Sequence, residues 1–105
     1  MGVNYSPHMV DIRKSSTFDT WLNGLRDVAS RARILVRIDR LAPGNPGDHK
    51  SVGDGVIELR MTFGPGYRVY YMQRDELLIV LLAGGDKSSQ TADITKAKII
   101  AAKWE

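Results

Sequence analysis

Two arginines flank a Gly64-Pro65-Gly66 turn in this chain, Arg60 ahead of it and Arg68 behind it. A guanidinium stays charged and offers a planar fork of N–H donors that fits a phosphate or a carboxylate. Close by stand an acid, Glu58, two tyrosines, Tyr70 and Tyr71, and, one apolar stretch later, Gly84-Gly85-Asp86-Lys87. Arginines, an acid and tyrosines near a glycine-rich turn are a combination that could grip a phosphate backbone. The same residues admit plainer roles. Arg68 could sit in a surface ion pair, Arg60 could pair with Glu58 or a cross-strand acid, and Asp86 could serve as a helix-start acid.

Two strands must carry these side chains, residues 56–63 and 67–73. Alternation puts Ile57, Leu59, Met61 and Phe63 on one face and Glu58, Arg60 and Thr62 on the other. Tyr70 has the parity of Arg68 and is expected on the exposed face, where an aromatic ring can stack on a base; Tyr71 then belongs to the core. Residues 77–83 are apolar at both parities, which predicts a central strand covered on both sides. Ser88 or Ser89 caps a final helix whose buried stripe is Ile94, Ala97, Ala101 and Trp104.

Upstream, residues 8–13 alternate as a short strand. Ser16 with Asp19 resembles a capping box and opens a helix striped by Phe18, Leu22 and Leu25, with Trp21 beside them. A second helix is predicted over residues 28–41, capped by Asp27, with Ala32, Leu35 and Ile38 buried. Arg33, Arg37 and Arg40 then form one basic ridge. Few residues separate the helices, so they form a hairpin on the sheet. Residues 42–55 read as a loop rich in turn residues that carries His49 and Lys50. The order β-α-α-β-β-β-α predicts one α+β domain over residues 1–105, with a largely antiparallel sheet. The helical hairpin covers one face. The other is only partly covered, which leaves a concave surface for Arg60 and Arg68.

Composition bounds the partners. The net charge of +3 favours an anionic one. Without cysteine there is no disulfide scaffold and no thiolate metal site. No acidic or histidine cluster has metal-ligand spacing, and no cofactor is expected. No apolar run reaches the roughly 18 residues of a membrane span, and residues 1–7 lack the apolar core of a signal peptide. A cytoplasmic protein with no membrane partner is the expectation.

Several segments stand in a recognisable order: Gly47-Asp48-x-Lys50-x-Val52-Gly53-x-Gly55-Val56, Glu58-Leu59-Arg60, Gly64-Pro65-Gly66-Tyr67-Arg68-Val69-Tyr70-Tyr71, and Gly84-Gly85-Asp86-Lys87-Ser88-Ser89-Gln90 followed by Asp93-Ile94. The set resembles the RelE/ParE superfamily of toxin–antitoxin toxins, most closely the HigB-like, phage-related addiction-module killer proteins. The resemblance implies an endoribonuclease that cleaves mRNA, usually in the ribosomal A site. It also implies a small antitoxin partner, expected to be a helix-turn-helix protein.

Such cleavage uses the ribose 2′-hydroxyl against the adjacent phosphate. It needs cations on the phosphate oxygens, a group that takes the 2′ proton and one that protonates the leaving oxygen. By the resemblance, Arg68 contacts phosphate, Lys87 is the basic residue after the Gly-Gly turn, and Lys50 matches a lysine or histidine of the loop. The catalytic candidates are Arg68, Lys87, Arg60, Lys50 and Glu58, the last by orienting Arg60 or Arg68. The RNA-binding candidates are Arg68, Arg60, Tyr70, Lys87 and His49. The chain departs from the family where relatives carry strand lysines, here Val56 and Glu58, and where they carry a tyrosine or histidine, here Ala92 and Asp93. The proton carrier is therefore open. The alternative is a ParE-like module that poisons DNA gyrase without nuclease activity, since the fold is common to both.

Overall fold

A computed structural model describes residues 10–104. The first strand, β1 (Asp11–Lys14), keeps only the end of the predicted strand; positions ahead of Val10 lie outside the described residues. Ser15 rather than Ser16 caps α1 (Ser16–Asn23). Its hydroxyl accepts from the Phe18 amide and donates to the Leu82 carbonyl, so one buried side chain both starts the helix and ties it to a strand. Asp27 caps α2 (Val28–Asp39) through the Ala29 amide.

The strands β2 (His49–Gly53), β3 (Val56–Arg60), β4 (Arg68–Arg74) and β5 (Leu78–Gly85) follow, then a 3-10 turn at Lys87–Ser89 and α3 (Gln90–Lys103). The sheet order is β1-β5-β4-β3-β2. Only β1 runs parallel to its neighbour, and the other pairings are antiparallel. The predicted α+β order is thus observed, with one strand added.

That strand, β2, lies inside the stretch expected to be a loop. Its residues, His-Lys-Ser-Val-Gly, are mostly exposed and lack an apolar alternation. As an edge strand it is held by its pairing with β3. The legible signal was Asp54-Gly55, both at positive φ (56° and 77°), the backbone that a two-residue hairpin turn requires.

Both faces of the sheet are covered. On one, Phe18 and Leu22 of α1 and Ile34 and Ile38 of α2 pack over Leu59, Met61, Val69, Tyr71, Ile79 and Leu81. On the other, Ala97 and Ala101 of α3 pack over Val56, Tyr70, Met72, Val80 and Leu82. The helical hairpin and the doubly buried β5 match expectation. The stripe of α2 differs. Ser30, Ile34 and Ile38 are buried, while Leu35 is 42 % exposed. Ser30, Ile34 and Ile38 lie on one i, i+4, i+8 row that faces the sheet, and Ser30 is tolerated there because it donates to the capping Asp27 carboxylate.

The basic ridge is also divided. Arg37 turns inward and donates to the carbonyls of Arg60, Pro46 and Asp48. Arg33 lies 3.9 Å over the Phe63 ring. Among the described residues no helix is long and apolar enough to cross a membrane.

Candidate functional site

Strand register builds the site. Across β3 and β4, Arg60 stands opposite Arg68 and Glu58 opposite Tyr70. Directly paired residues share a sheet face, so all four point to the side covered by α3. Beyond β3, Lys50 of β2 stands opposite Glu58 and joins that face. Beyond β4, Arg68 stands opposite Gly85. Asp86 then caps the 3-10 turn through the Ser88 amide and brings Lys87 back beside the hairpin turn. A Cβ placed on Gly66 would lie 3.4 Å from Lys87 Cβ and 3.6 Å from Arg68 Nη1, so the base of the Lys87 side chain and the Arg68 guanidinium flank this glycine. A cavity of about 470 Å³ opens between Asp48, Arg60, Thr62, Gly66 and Arg68.

The two arginines are held differently. Arg60 Nη2 donates to Asp48 Oδ1 at 3.0 Å, on the rim. The Arg68 side chain is only 13 % exposed. Its Nη1 donates to the Gly66 and Tyr67 carbonyls at 3.2 and 3.5 Å, and its Nε lies 3.8 Å from Glu58 Oε2 without a hydrogen bond. The Nε atoms of both arginines are shut off from solvent and have no hydrogen-bond partner among the described residues.

Glu58 is 1 % exposed. Its Oε2 accepts from the Tyr70 hydroxyl at 3.1 Å and from Gln90 Nε2 at 2.7 Å. Burial, then the Glu58 charge, pushes the Tyr70 phenol well above its usual range, so it stays a protonated donor. Behind this group Asp93 is buried on α3 and accepts from the Ser89 hydroxyl. Among the described residues no three His, Asp or Glu side chains are gathered as metal ligands would be.

Arg60, Arg68, Glu58, Lys50 and Lys87 therefore gather on one side of the sheet, with Lys50 one strand out from Glu58. Two expected RNA contacts do not join them. Tyr70 is fully buried, because α3 covers the face it shares with Arg68; it has no ring surface for a base. Tyr71 is buried on the opposite face, so both tyrosines are core. His49 stands opposite Leu59, on the helical-hairpin side of the sheet, and its Nδ1 lies 2.8 Å from the Gly47 carbonyl. Glu58 is too deep to touch a substrate. Asp48, Gln90 and Asp93 were not singled out for the site. They lie in the quoted motifs, but no spacing rule marks a partner that arrives from another element.

Comparison with known proteins agrees with this architecture. The family model "Phage derived protein Gp49-like (DUF891)" matches residues 20–105, and the chain belongs to this family. An uncharacterized protein of Haemophilus influenzae is 49 % identical over 92 residues, which are 88 % of this chain and 93 % of that protein. Among solved structures, a free-state mutant of the E. coli toxin RelE aligns with a TM-score of 0.70 at 12 % identity, over 85 % of this chain and 94 % of that one. The fold is RelE-like, in keeping with the superfamily resemblance carried by the motifs.

Proposed function

We propose that this chain is the toxin of a toxin–antitoxin pair, a HigB-like endoribonuclease that cleaves mRNA on the ribosome. One observation carries the reading: two arginines stand in direct cross-strand register at a cavity. Like charges set opposite each other repel, and a phosphodiester bound by their terminal nitrogens relieves that repulsion.

In the reaction the 2′-oxygen bonds to the adjacent phosphorus and the bond to the 5′-oxygen breaks. This yields a 2′,3′-cyclic phosphate and a 5′-hydroxyl. Arg60 and Arg68 bind the phosphate oxygens and stabilise the charge of the five-coordinate transition state. A guanidinium stays protonated at neutral pH and does not exchange its proton in the reaction, so one group must take the 2′ proton and another supply one to the 5′-oxygen. Lys87, beside Arg68 across Gly66, and Lys50, on the same sheet face, are the amines available for this. Glu58 acts on Arg68 and not on RNA. The proposed partner is a small antitoxin of the helix-turn-helix kind, and the proposed setting is the cytoplasm.

The test is induction of the wild type beside Arg68→Ala, with growth and mRNA 5′ ends followed in both. Loss of one such donor is expected to reduce cleavage by about 10²–10³-fold. Growth arrest with intact transcripts in the wild type would sink the nuclease reading. A supercoiling assay with purified gyrase then tests the ParE-like alternative.

A further inference from the structure

We infer that Gln90 and Tyr70 are positioning residues that hold Glu58 back from a full ion pair with Arg68 and so keep that guanidinium open to a phosphate. The inference rests on the reading of Arg68 as an RNA ligand.

A buried carboxylate beside an arginine ordinarily closes to a short charge-assisted hydrogen bond, often a bidentate one. Here the two are 3.8 Å apart at Nε and Oε2, with no hydrogen bond between them. Two neutral donors occupy the same oxygen instead. Tyr70, opposite Glu58 on β4, donates at 3.1 Å, and Gln90, the first residue of α3, donates at 2.7 Å. They supply the hydrogen bonds that a carboxylate at 1 % exposure must have. The guanidinium is not needed for that purpose. The carboxylate still attracts Arg68 and keeps it against the sheet, while Arg68 Nη1 is spent only on neutral carbonyls. Its charge is thus oriented but not cancelled by contact.

Removing either donor leaves Oε2 short of a partner. The nearest unsatisfied donor is Arg68 Nε. The ion pair closes, and the guanidinium is withdrawn from the cavity. The arrangement therefore makes a signed prediction that simple loss of packing does not. Damage from a Gln90 or Tyr70 substitution depends on the negative charge of Glu58, and removing that charge should repair it.

The full-length protein is titrated with a fluorescent 2′-O-methyl RNA, which cannot be cut, and binding is read by anisotropy. Gln90→Leu and Tyr70→Phe are each expected to weaken binding about tenfold, the scale of one lost charge-assisted contact. The double variant Glu58→Gln/Gln90→Leu is expected to bind like Glu58→Gln alone. If Gln90→Leu loses its cooperative thermal transition, Tyr70→Phe and its double with Glu58→Gln carry the same comparison. Wild-type affinity in both single variants, with loss in Arg68→Ala, overturns the positioning role and leaves the RNA reading intact. A double variant weaker than either single change overturns it as well. Wild-type affinity in Arg68→Ala removes the RNA reading itself.

Discussion

Arg60 and Arg68 stand side by side, yet their surroundings give them different duties. Arg60 is tied to Asp48 in an exposed pair, and such pairs contribute about 0–1 kcal/mol. It can exchange that acid for a phosphate at small cost. Arg68 is mostly buried, with carbonyls on one side and Glu58 on the other. Asp48→Asn removes the competing acid from the cleft. RNA affinity in this variant should rise a few-fold at low salt, measured by the same anisotropy titration, because rim charges act mainly through the local field.

Two capping carboxylates contribute to the pH dependence of stability in acid. The Ser88 hydroxyl holds the Asp86 carboxyl below its usual value of 3.8, and the Ser30 hydroxyl does the same for Asp27. A carboxyl lowered in the folded state stabilises fully above 3.8, and that contribution is lost as pH falls through the folded value. The thermal midpoint should therefore drop as pH is taken below about 4, and Asp86→Asn should show a shallower drop. Tyr70 and Tyr71 have the opposite sign. Burial raises both phenols, so stability is complete below the usual value of 10 and declines as pH rises beyond it.

Between elements, β5 is approached closely from both sides at Gly84 and Gly85. A Cβ on Gly85 would collide with the Asp93 carboxylate and the Ser89 hydroxyl, and one on Gly84 would enter the Trp21 ring. The Gly-Gly pair is thus a close-approach device: it lets α1 and the start of α3 press on one strand from opposite sides. Gly85→Ala should cost about 1–3 kcal/mol through overpacking, seen as a lower thermal midpoint, and should weaken RNA binding because Arg68 stands opposite this residue. The β3–β4 hairpin could be read from alternation, since on β3 Leu59 and Ile57 pack toward the helical hairpin while Glu58 and Arg60 take the other face. β2 could not. Its exposed edge position leaves no apolar pattern, and only the Asp54-Gly55 turn announced it.

For the molecule as a whole, the cations of the cleft are few and on one side. The net charge is +3; Arg60 and Arg68 line the cavity, with the Lys87 side chain beside Gly66 and Lys50 one strand out from Glu58. Each phosphate contact on a single strand adds roughly 0.7 to the slope of log affinity against log salt. Four contacts predict a slope near −3, and Arg68→Ala should reduce its magnitude by about one contact. A salt-independent affinity would exclude this cleft as a backbone-binding surface.

The order of elements apart from β2, the division of β3 into apolar and charged faces, and the pairing of two arginines around a glycine turn are local properties. They follow from a period of two along a strand and 3.6 along a helix, and neighbours in sequence suffice to read them. Burial and hydrogen-bond satisfaction are not local. Tyr70 lost its expected base-stacking role because α3, from the far end of the chain, covers its face. Arg37 left the basic ridge because the carbonyl of Arg60 lies within its reach. Glu58 became a restrained buried charge only when Gln90, 32 residues later, arrived beside Tyr70. The chain's own pattern names the candidate phosphate ligands, while the docking of α3 on the sheet decides which of their neighbours touch solvent and which lie against the arginines.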